Sequence, residues 1–478
     1  MNNKLYGVNA EINYDTSLGR LTLIPAWRPS TISDLNDAAG FLSGTREDDE
    51  QYSAELRFTG KRISIFDYTF GLLYFHQRQK GVFGAALGAI GAFSSYSDDT
   101  DSYAGFARVT AHLTDQLRLV GGVRYTSDQK SFNGSVTDLV VLCVRAACPA
   151  APVVPFSFTA NGQTAVPVPP AAGAIEPIGA TGALSFRTGF AQQTNLDTDR
   201  ATYRGAVEYD VLPRSLLYAS IETGYRSGGF NLAVGIPTYL PEYITAYTIG
   251  AKNRFLDNRL ELNLEGFVWK YRNQQIAHLG LDLAGNNADF TQNVGRSTNQ
   301  GGEVEVRYLL TPDTVLTSNI QYLDATYDQF TYQAPASGGL PPFTGCRTSA
   351  AANSTTLVNV NCSGEPSFQS PKWTLNFGVQ QTVHVSTYKV VGNVDTQYLY
   401  SRFVGFEYQP AEYAPSVWQT NAQLTLTPDY GKWALSLFAV NLENNRYLVH
   451  AVVNTTANVL TSTNANPRTY GIRASMKF

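Results

Sequence analysis

Five histidines, four cysteines and a scatter of Ser, Asp and Glu are the residues of this 478-residue chain that could bind a metal or run a reaction. A metal centre needs several ligands that converge in space. His112 and His384 fall beside tight turns, and His76, His278 and His450 lie near longer connections. No two share helical or hairpin spacing, which points to ordinary polar roles. No nucleophile elbow surrounds any serine. Gly224-Tyr-Arg-Ser-Gly-Gly229 is followed by no helix, so it is neither a phosphate loop nor a dinucleotide turn but a strand top entering a loop. The cysteines form two local pairs, Cys143 with Cys148 and Cys346 with Cys362, and neither has the partners zinc requires at finger-like spacing. Disulfides in an oxidising compartment are the simpler reading. Catalysis has no support in these residues, and no cofactor or metal is expected.

The elements that carry these residues are strands. Tyr103, Gly105, Ala107, Val109, Ala111 and Leu113 share one face, and after Thr114-Asp115 the alternation resumes with Leu117, Leu119, Gly121, Val123 and Tyr125. The same hairpin grammar recurs around Leu212-Pro213-Arg214, Leu256-Asp257-Asn258, Thr311-Pro312-Asp313 and Pro428-Asp429-Tyr430-Gly431. Every second connection is tight. The others are long: Ser30 to Glu50, Gln77 to Asp99, Lys130 to Asp197, Leu232 to Glu242, Leu279 to Arg296, Thr331 to Ser370, Arg402 to Pro415 and Val453 to Asn466. Sorting of short and long connections to opposite ends is the habit of transmembrane antiparallel β-barrels, and a propeller or sandwich has no reason for it.

Composition agrees. Charged residues are 15% and aromatics 12%, with 28 tyrosines, against about 25% charged in a typical soluble protein. A wall that is apolar on alternate residues, with aromatic girdles, has this composition. No apolar run is long enough for a membrane helix. The net charge of -4 and the lack of a basic stripe exclude nucleic acid as an expected partner. The last strand, with Tyr470, Ile472, Ala474, Met476 and Phe478 on one face, ends on an aromatic as the closing strand of such a barrel does.

The alternation assigns an inside and an outside. If Leu217, Ala219, Ile221, Thr223 and Tyr225 meet lipid, then Tyr218, Ser220, Glu222, Gly224 and Arg226 face the lumen. By the same phase Arg108, Arg118, Arg124, Arg204, Glu208, Glu303, Glu305, Arg307, Asn376, Asn393, Asp395 and Gln397 line the interior, chiefly as wall ion pairs. Glu222, Arg226 and Phe230 lie nearest the outer mouth and are the candidates for ligand contact. After Gly266 the phase is ambiguous. A β-bulge there would send Phe267, Trp269 and Tyr271 to the outer girdle, and is the favoured expectation; otherwise they form an aromatic patch inside the mouth.

These residues carry a family resemblance. Leu217 to Asn231, then Pro241-Glu242, Tyr247 to Lys252, Leu256 to Leu260, Asn293 to Arg296, Gly302 to Glu305, Tyr322 to Tyr327, Pro371 to Trp373, Asn441 to Asn444 with Arg446-Tyr447, and Pro467 to Gly471 together resemble the barrel of TonB-dependent outer-membrane receptors. The resemblance implies a barrel of about 22 strands closed around a plug, a location in the cell outer membrane, and four partners. These are outer-membrane lipid, the TonB complex through an N-terminal plug, the barrel-assembly machinery through the C-terminal strand, and a small-molecule ligand. A complete receptor would be a monomer. Residues 1–478 show about seventeen strands of that barrel, against the even number a single-chain bacterial barrel needs, with no plug, TonB box or signal peptide before them, so truncation at the N-terminus is expected. The implied function is energised uptake of a scarce solute such as a siderophore-iron complex. The alternatives are an ungated pore or nonfunctional receptor fragment, and, from a different class, a secreted soluble β-protein that binds carbohydrate.

Overall fold

A computed structural model describes residues 3–477 apart from 39–40, 88–89, 144–156, 162–163, 169–182, 284–286, 336–343, 353, 356 and 455–458. Seventeen successive wall strands form one antiparallel meander. Lys4–Leu5, Val8–Asn9 and Ile12–Asp15 make up an interrupted β1. There follow β2 (Gly19–Ala38), β3 (Phe41–Gly60), β4 (Phe66–Leu87), β5 (Ile90–His112), β6 (Leu117–Cys143), β7 (Ala183–Leu212), β8 (Ser215–Arg226) and β9 (Glu242–Phe255). The remainder are β10 (Leu260–Leu281), β11 (Asn287–Thr311), β12 (Thr314–Pro335), β13 (Trp373–Val385), β14 (Tyr388–Leu399), β15 (Val417–Pro428), β16 (Trp433–Val440) and β17 (Thr469–Met476). Each pairs with the next in sequence. Among the described residues no ladder joins β1 to β17.

The sheet is curled. In a flat sheet β4 and β11, seven places apart, would stand about 34 Å from one another at a strand spacing of about 4.8 Å, yet Phe83 of β4 and Ala288 of β11 line one cavity. Its outer face is apolar in a band. Val109, Val123, Val207 and Ile249 are exposed there, and Trp27, Tyr52, Tyr74, Tyr103, Tyr125 and Tyr203 stand at the upper margin. Above that margin charges begin: Tyr52 and Trp27 donate to Glu50, and His76 meets Asp101 at 3.0 Å. Below, Arg62 and His112 converge on Asp67 beside a tight turn. The outward run from Tyr103 to Ala111 thus matches the roughly 9–11 residues a tilted strand needs to cross a bilayer.

Three expectations change. Ser30 to Glu50, Gln77 to Asp99 and Leu279 to Arg296 were expected as loops, but β2 and β3 continue in register to Ala38↔Phe41, β4 and β5 to Leu87↔Ile90, and β10 and β11 to Leu281↔Asn287. Polar residues on both faces removed the alternation signal there, because above the membrane both faces of a hairpin meet water. The bulge expected near Gly266 is also absent. Gly266 pairs regularly with Ile249 and Gly302, and the ladder shifts at Arg272 to Gln275 instead, where Asn273 takes a φ of 53°. Phe267 and Trp269 therefore stay on the luminal face, stacked with ring centroids 4.4 Å apart. Gly301, opposite Phe267, makes this possible: a Cβ there would lie 2.0 Å from the Tyr322 carbonyl and 3.1 Å from the Phe267 ring. Finally, Tyr225 was expected to face lipid but donates its hydroxyl to Asp128 on the inner face of β6 at 2.7 Å. The β7–β8 ladder ends at Arg204↔Glu222, and above it the Thr223 hydroxyl takes the Tyr203 N–H, which frees Tyr225 from the strand's phase.

Outside the membrane band, β10, β11 and β12 carry a compact cap. Ile276, Val294, Tyr327, Phe330, Tyr332, Val360 and Tyr408 are buried together. Cys346 is disulfide-bonded to Cys362 within it, Cα atoms 5.0 Å apart. The side chain of Cys143, and Cys148 altogether, lie outside the described residues, as does Phe478.

A second unit, residues 402–414, leans on the cap and buries two carboxyls, Glu407 (3% exposed) and Glu412 (0%). One oxygen of each has no hydrogen-bond partner among the described residues. Burial, reinforced by Glu412, pushes the Glu407 carboxyl up to about 9 from an ordinary 4.5. Glu407 then stays protonated in the folded segment at pH values where the opened segment has ionised. Opening releases a proton, so local stability is complete below about pH 4.5 and is lost as pH rises through about 9. Hydrogen-exchange protection of residues 402–414, corrected for intrinsic rates, should fall across that window, and Glu407→Gln should flatten the fall. A protection factor independent of pH in the unaltered chain would contradict the buried acid.

Candidate functional site

The luminal wall carries polar groups at every level. Near the inner rim Arg118 reaches both Glu208 (3.0 Å) and Asp210. Higher up, Arg204 pairs with Glu222 at 2.9 Å. Gln321 donates to Glu303 at 2.7 Å, and Asn263 to Glu305 at 3.1 Å. Glu305, Arg307, Asn376, Asp395 and Gln397, all assigned to the interior by phase, line a shared depression of about 410 Å³. These groups mostly bind each other, as pieces of a hydrated wall.

The outer mouth is different. A cavity of about 450 Å³ lies against the inner face of the extended hairpins, lined by Phe83, Tyr96 and Phe132 with Gln79, Ser94 and Asp98. The segment 227–241 folds across it and contributes Phe230, Asn231 and Leu232. Phe230 stacks on Phe132 with ring centroids 5.2 Å apart.

Local chemistry explains why the segment lies there. Gly229–Phe230 pairs with Thr238–Tyr239 as a miniature hairpin, and at Gly228 a Cβ would stand 2.3 Å from the Tyr239 carbonyl. The segment is then tied down at both sides. Lys130 of β6 donates to the Gly228 carbonyl at 3.0 Å. On the β10–β11 side Asn231 and Thr291 exchange bonds of 3.0 and 2.9 Å, Gln275 donates to the carbonyls of Ser227 and Leu240, and the Val234 N–H reaches Asp282. Asn231 is 4% exposed, so these bonds are made away from water, where leaving them unmade costs about 1–3 kcal/mol each.

Of the three residues singled out from the sequence, Phe230 lines the cavity, Arg226 stands at the top of β8, and Glu222 sits lower in the wall beside Arg204. The structure brings only Phe230 to the cavity. Phe83, Tyr96, Asp98 and Phe132 escaped sequence reasoning because all four lie in stretches expected as loops. Extending the period-2 phase of β5 and β6 upward would have placed Tyr96, Asp98 and Phe132 inward.

A meandering sheet with an apolar band outside, a polar interior and long outward hairpins defines an outer-membrane barrel. The chain belongs to the family described as TonB dependent receptor-like, beta-barrel, whose model matches residues 2–444. That family comprises receptors rather than enzymes, and membership sets aside the secreted carbohydrate-binding alternative. Among solved structures the chain is similar to the ferric yersiniabactin uptake receptor FyuA from Yersinia pestis, at 15% identity and a TM-score of 0.72, covering 100% of this chain and 61% of that one. It is similar to the siderophore receptor PiuA from Acinetobacter baumannii, at 15% identity and 0.66, covering 99% and 64%. The copper transporter OprC matches at 12% identity and 0.62, covering 100% and 65%. At these identities the likeness establishes the fold, and the chain spans less than two thirds of each neighbour's length.

Proposed function

We propose that residues 1–478 form the greater part of the barrel of a receptor that captures a scarce solute at its outer mouth and imports it when the TonB complex moves a plug domain. The observation that carries this reading is the mouth cavity: walled by β4, β5 and β6, roofed by an anchored segment, and facing outward. Phe230 is assigned direct ligand contact, Arg226 a place at the rim, and Glu222 a wall role through Arg204. The neighbours named for siderophores and copper make a metal-bearing solute, a siderophore-iron complex foremost, the class to test. We further infer that additional strands pair with the free edges of β1 and β17, that a plug fills the polar lumen, and that β17 is the strand presented to the barrel-assembly machinery.

Uptake of labelled ferric siderophores by cells carrying the complete receptor tests the reading. Energised uptake should vanish both without TonB and when residues 228–240 are deleted. Uptake that persists without TonB would make the barrel an ungated pore, and no uptake in any background would make it a nonfunctional fragment.

A further inference from the structure

The inner face around the mouth cavity is crowded with carboxylates that each keep one oxygen without a hydrogen bond. Asp34, Asp49, Asp98 and Asp138 point inward from β2, β3, β5 and β6, and in each the Oδ1 atom is buried without a hydrogen bond among the described residues. Asp49 and Asp98 stand level across the wall, joined through Gln79 in the register Asp49↔Gln79↔Asp98. Asp98 and Gln79 line the cavity itself, beside the rings of Phe83, Tyr96, Phe132 and Phe230.

Lys130 stands close enough to Asp98 to offset part of this charge, but no cation enters the cavity itself. Lys130 turns its ammonium to the Gly228 carbonyl, and Arg226 ends β8; neither is in the lining. Tyr96 donates its hydroxyl to Glu47, so this phenol is also spent. The cavity therefore offers four aromatic faces and one lining carboxylate with a free oxygen, and no cationic group.

Aromatic faces carry negative quadrupoles that attract cations, most strongly where water is excluded. A carboxylate with an open acceptor site adds a charge-assisted hydrogen bond to an ammonium. The same surroundings disfavour anions, because a second negative charge brought into the cavity meets Asp98 and no cationic group in the lining. Burial already holds the carboxyls of Asp98 and Asp49 above their ordinary range, and raises Asp138, with help from Asp282, to about 6. An incoming cation relieves that cost and an anion adds to it.

We propose that the part of the ligand held in this cavity is a protonated amine carried on or beside an aromatic ring, with Asp98 receiving the ammonium and the stacked pair Phe132–Phe230 packing against the ring. This rests on the reading of the cavity as the receptor's ligand site and names the chemistry it selects. Anionic groups of a solute are turned away from it.

Three probes of one shape and different charge test the selection: phenethylamine, 2-phenylethanol and 3-phenylpropionate, titrated into the purified complete receptor by calorimetry. Phenethylamine should bind at least about tenfold more tightly than 3-phenylpropionate, the difference one charge-assisted contact supplies. Asp98→Asn keeps the side chain's shape and should erase that preference, while Phe132→Ala should weaken all three probes alike. An unchanged heat-modifiable gel shift in both variants excludes misfolding as the cause. Equal or tighter binding of the anion, or a preference that survives Asp98→Asn, would overturn the charge selection and leave the ligand-site reading standing. Failure of all three probes to bind would overturn both.

Discussion

Refolded alone in detergent, residues 1–478 are expected to run on a gel without the heat-modifiable shift of a closed barrel. Strand β1 pairs only with β2, and β17 only with β16, among the described residues. The side chains along both edges are correspondingly bare: Tyr6 is 67% exposed, Tyr14 68%, Tyr470 80% and Ile472 70%. Inside a bilayer each unpaired N–H or C=O costs several kcal/mol, which is why spanning sheets close. An edge of this kind is also a template for pairing with any other strand. The isolated chain should accordingly aggregate or pair in trans, and supplying the further strands and plug of the receptor family should restore a compact, heat-modifiable monomer. A compact monomer from residues 1–478 alone would show that β1 and β17 close on each other, and would end the case for additional strands.

The second large effect concerns the lipid face. Ile221 and Val123 are exposed on the apolar band, 37% and 54%; Ile221 is mid-way along β8, and Val123 pairs with Ala107 at the centre of the band-crossing run of β5. Arginine at either position should destabilise the folded barrel by about 2–4 kcal/mol, the cost of a cation at the bilayer midplane of a barrel wall. Ser220 is the neighbour of Ile221 in sequence but faces inward, donating to Glu222 at 3.1 Å. Arginine there should be mild, because its charge enters a hydrated lumen. Urea-unfolding midpoints in lipid vesicles measure both. Equal losses at Ile221 and Ser220 would refute the assignment of faces.

The strand phases through the membrane band were legible from sequence because lipid on one side and polar lumen on the other impose a strict alternation. That is why Val123, Ile221, Arg204 and Glu222 lie on the expected faces, and why the tight turns fall where Leu256-Asp257-Asn258 and Pro213-Arg214 marked them. At Leu256, Asp257 and Asn258 the chain takes three consecutive positive φ angles, a local requirement that the short polar side chains of Asp257 and Asn258 meet cheaply. Above the membrane the alternation loses its cause, so hairpin length was not legible there and neither was the cavity those hairpins build.

By itself the sequence determined that this is about seventeen strands of a transmembrane antiparallel β-barrel with one lipid face and one polar face, since that pattern depends only on neighbours two residues apart. Tertiary structure alone decided the rest. Phe267 and Trp269 face the lumen because Gly301, on another strand, leaves room for a ring. Tyr225 leaves its phase because Asp128, from β6, accepts a hydrogen bond from its hydroxyl. The mouth cavity exists because residues 227–241 are bonded at once to Lys130 and to Thr291, groups 161 positions apart in the chain. Contacts of that range depend on how the sheet curls, and no local run of residues encodes the curl.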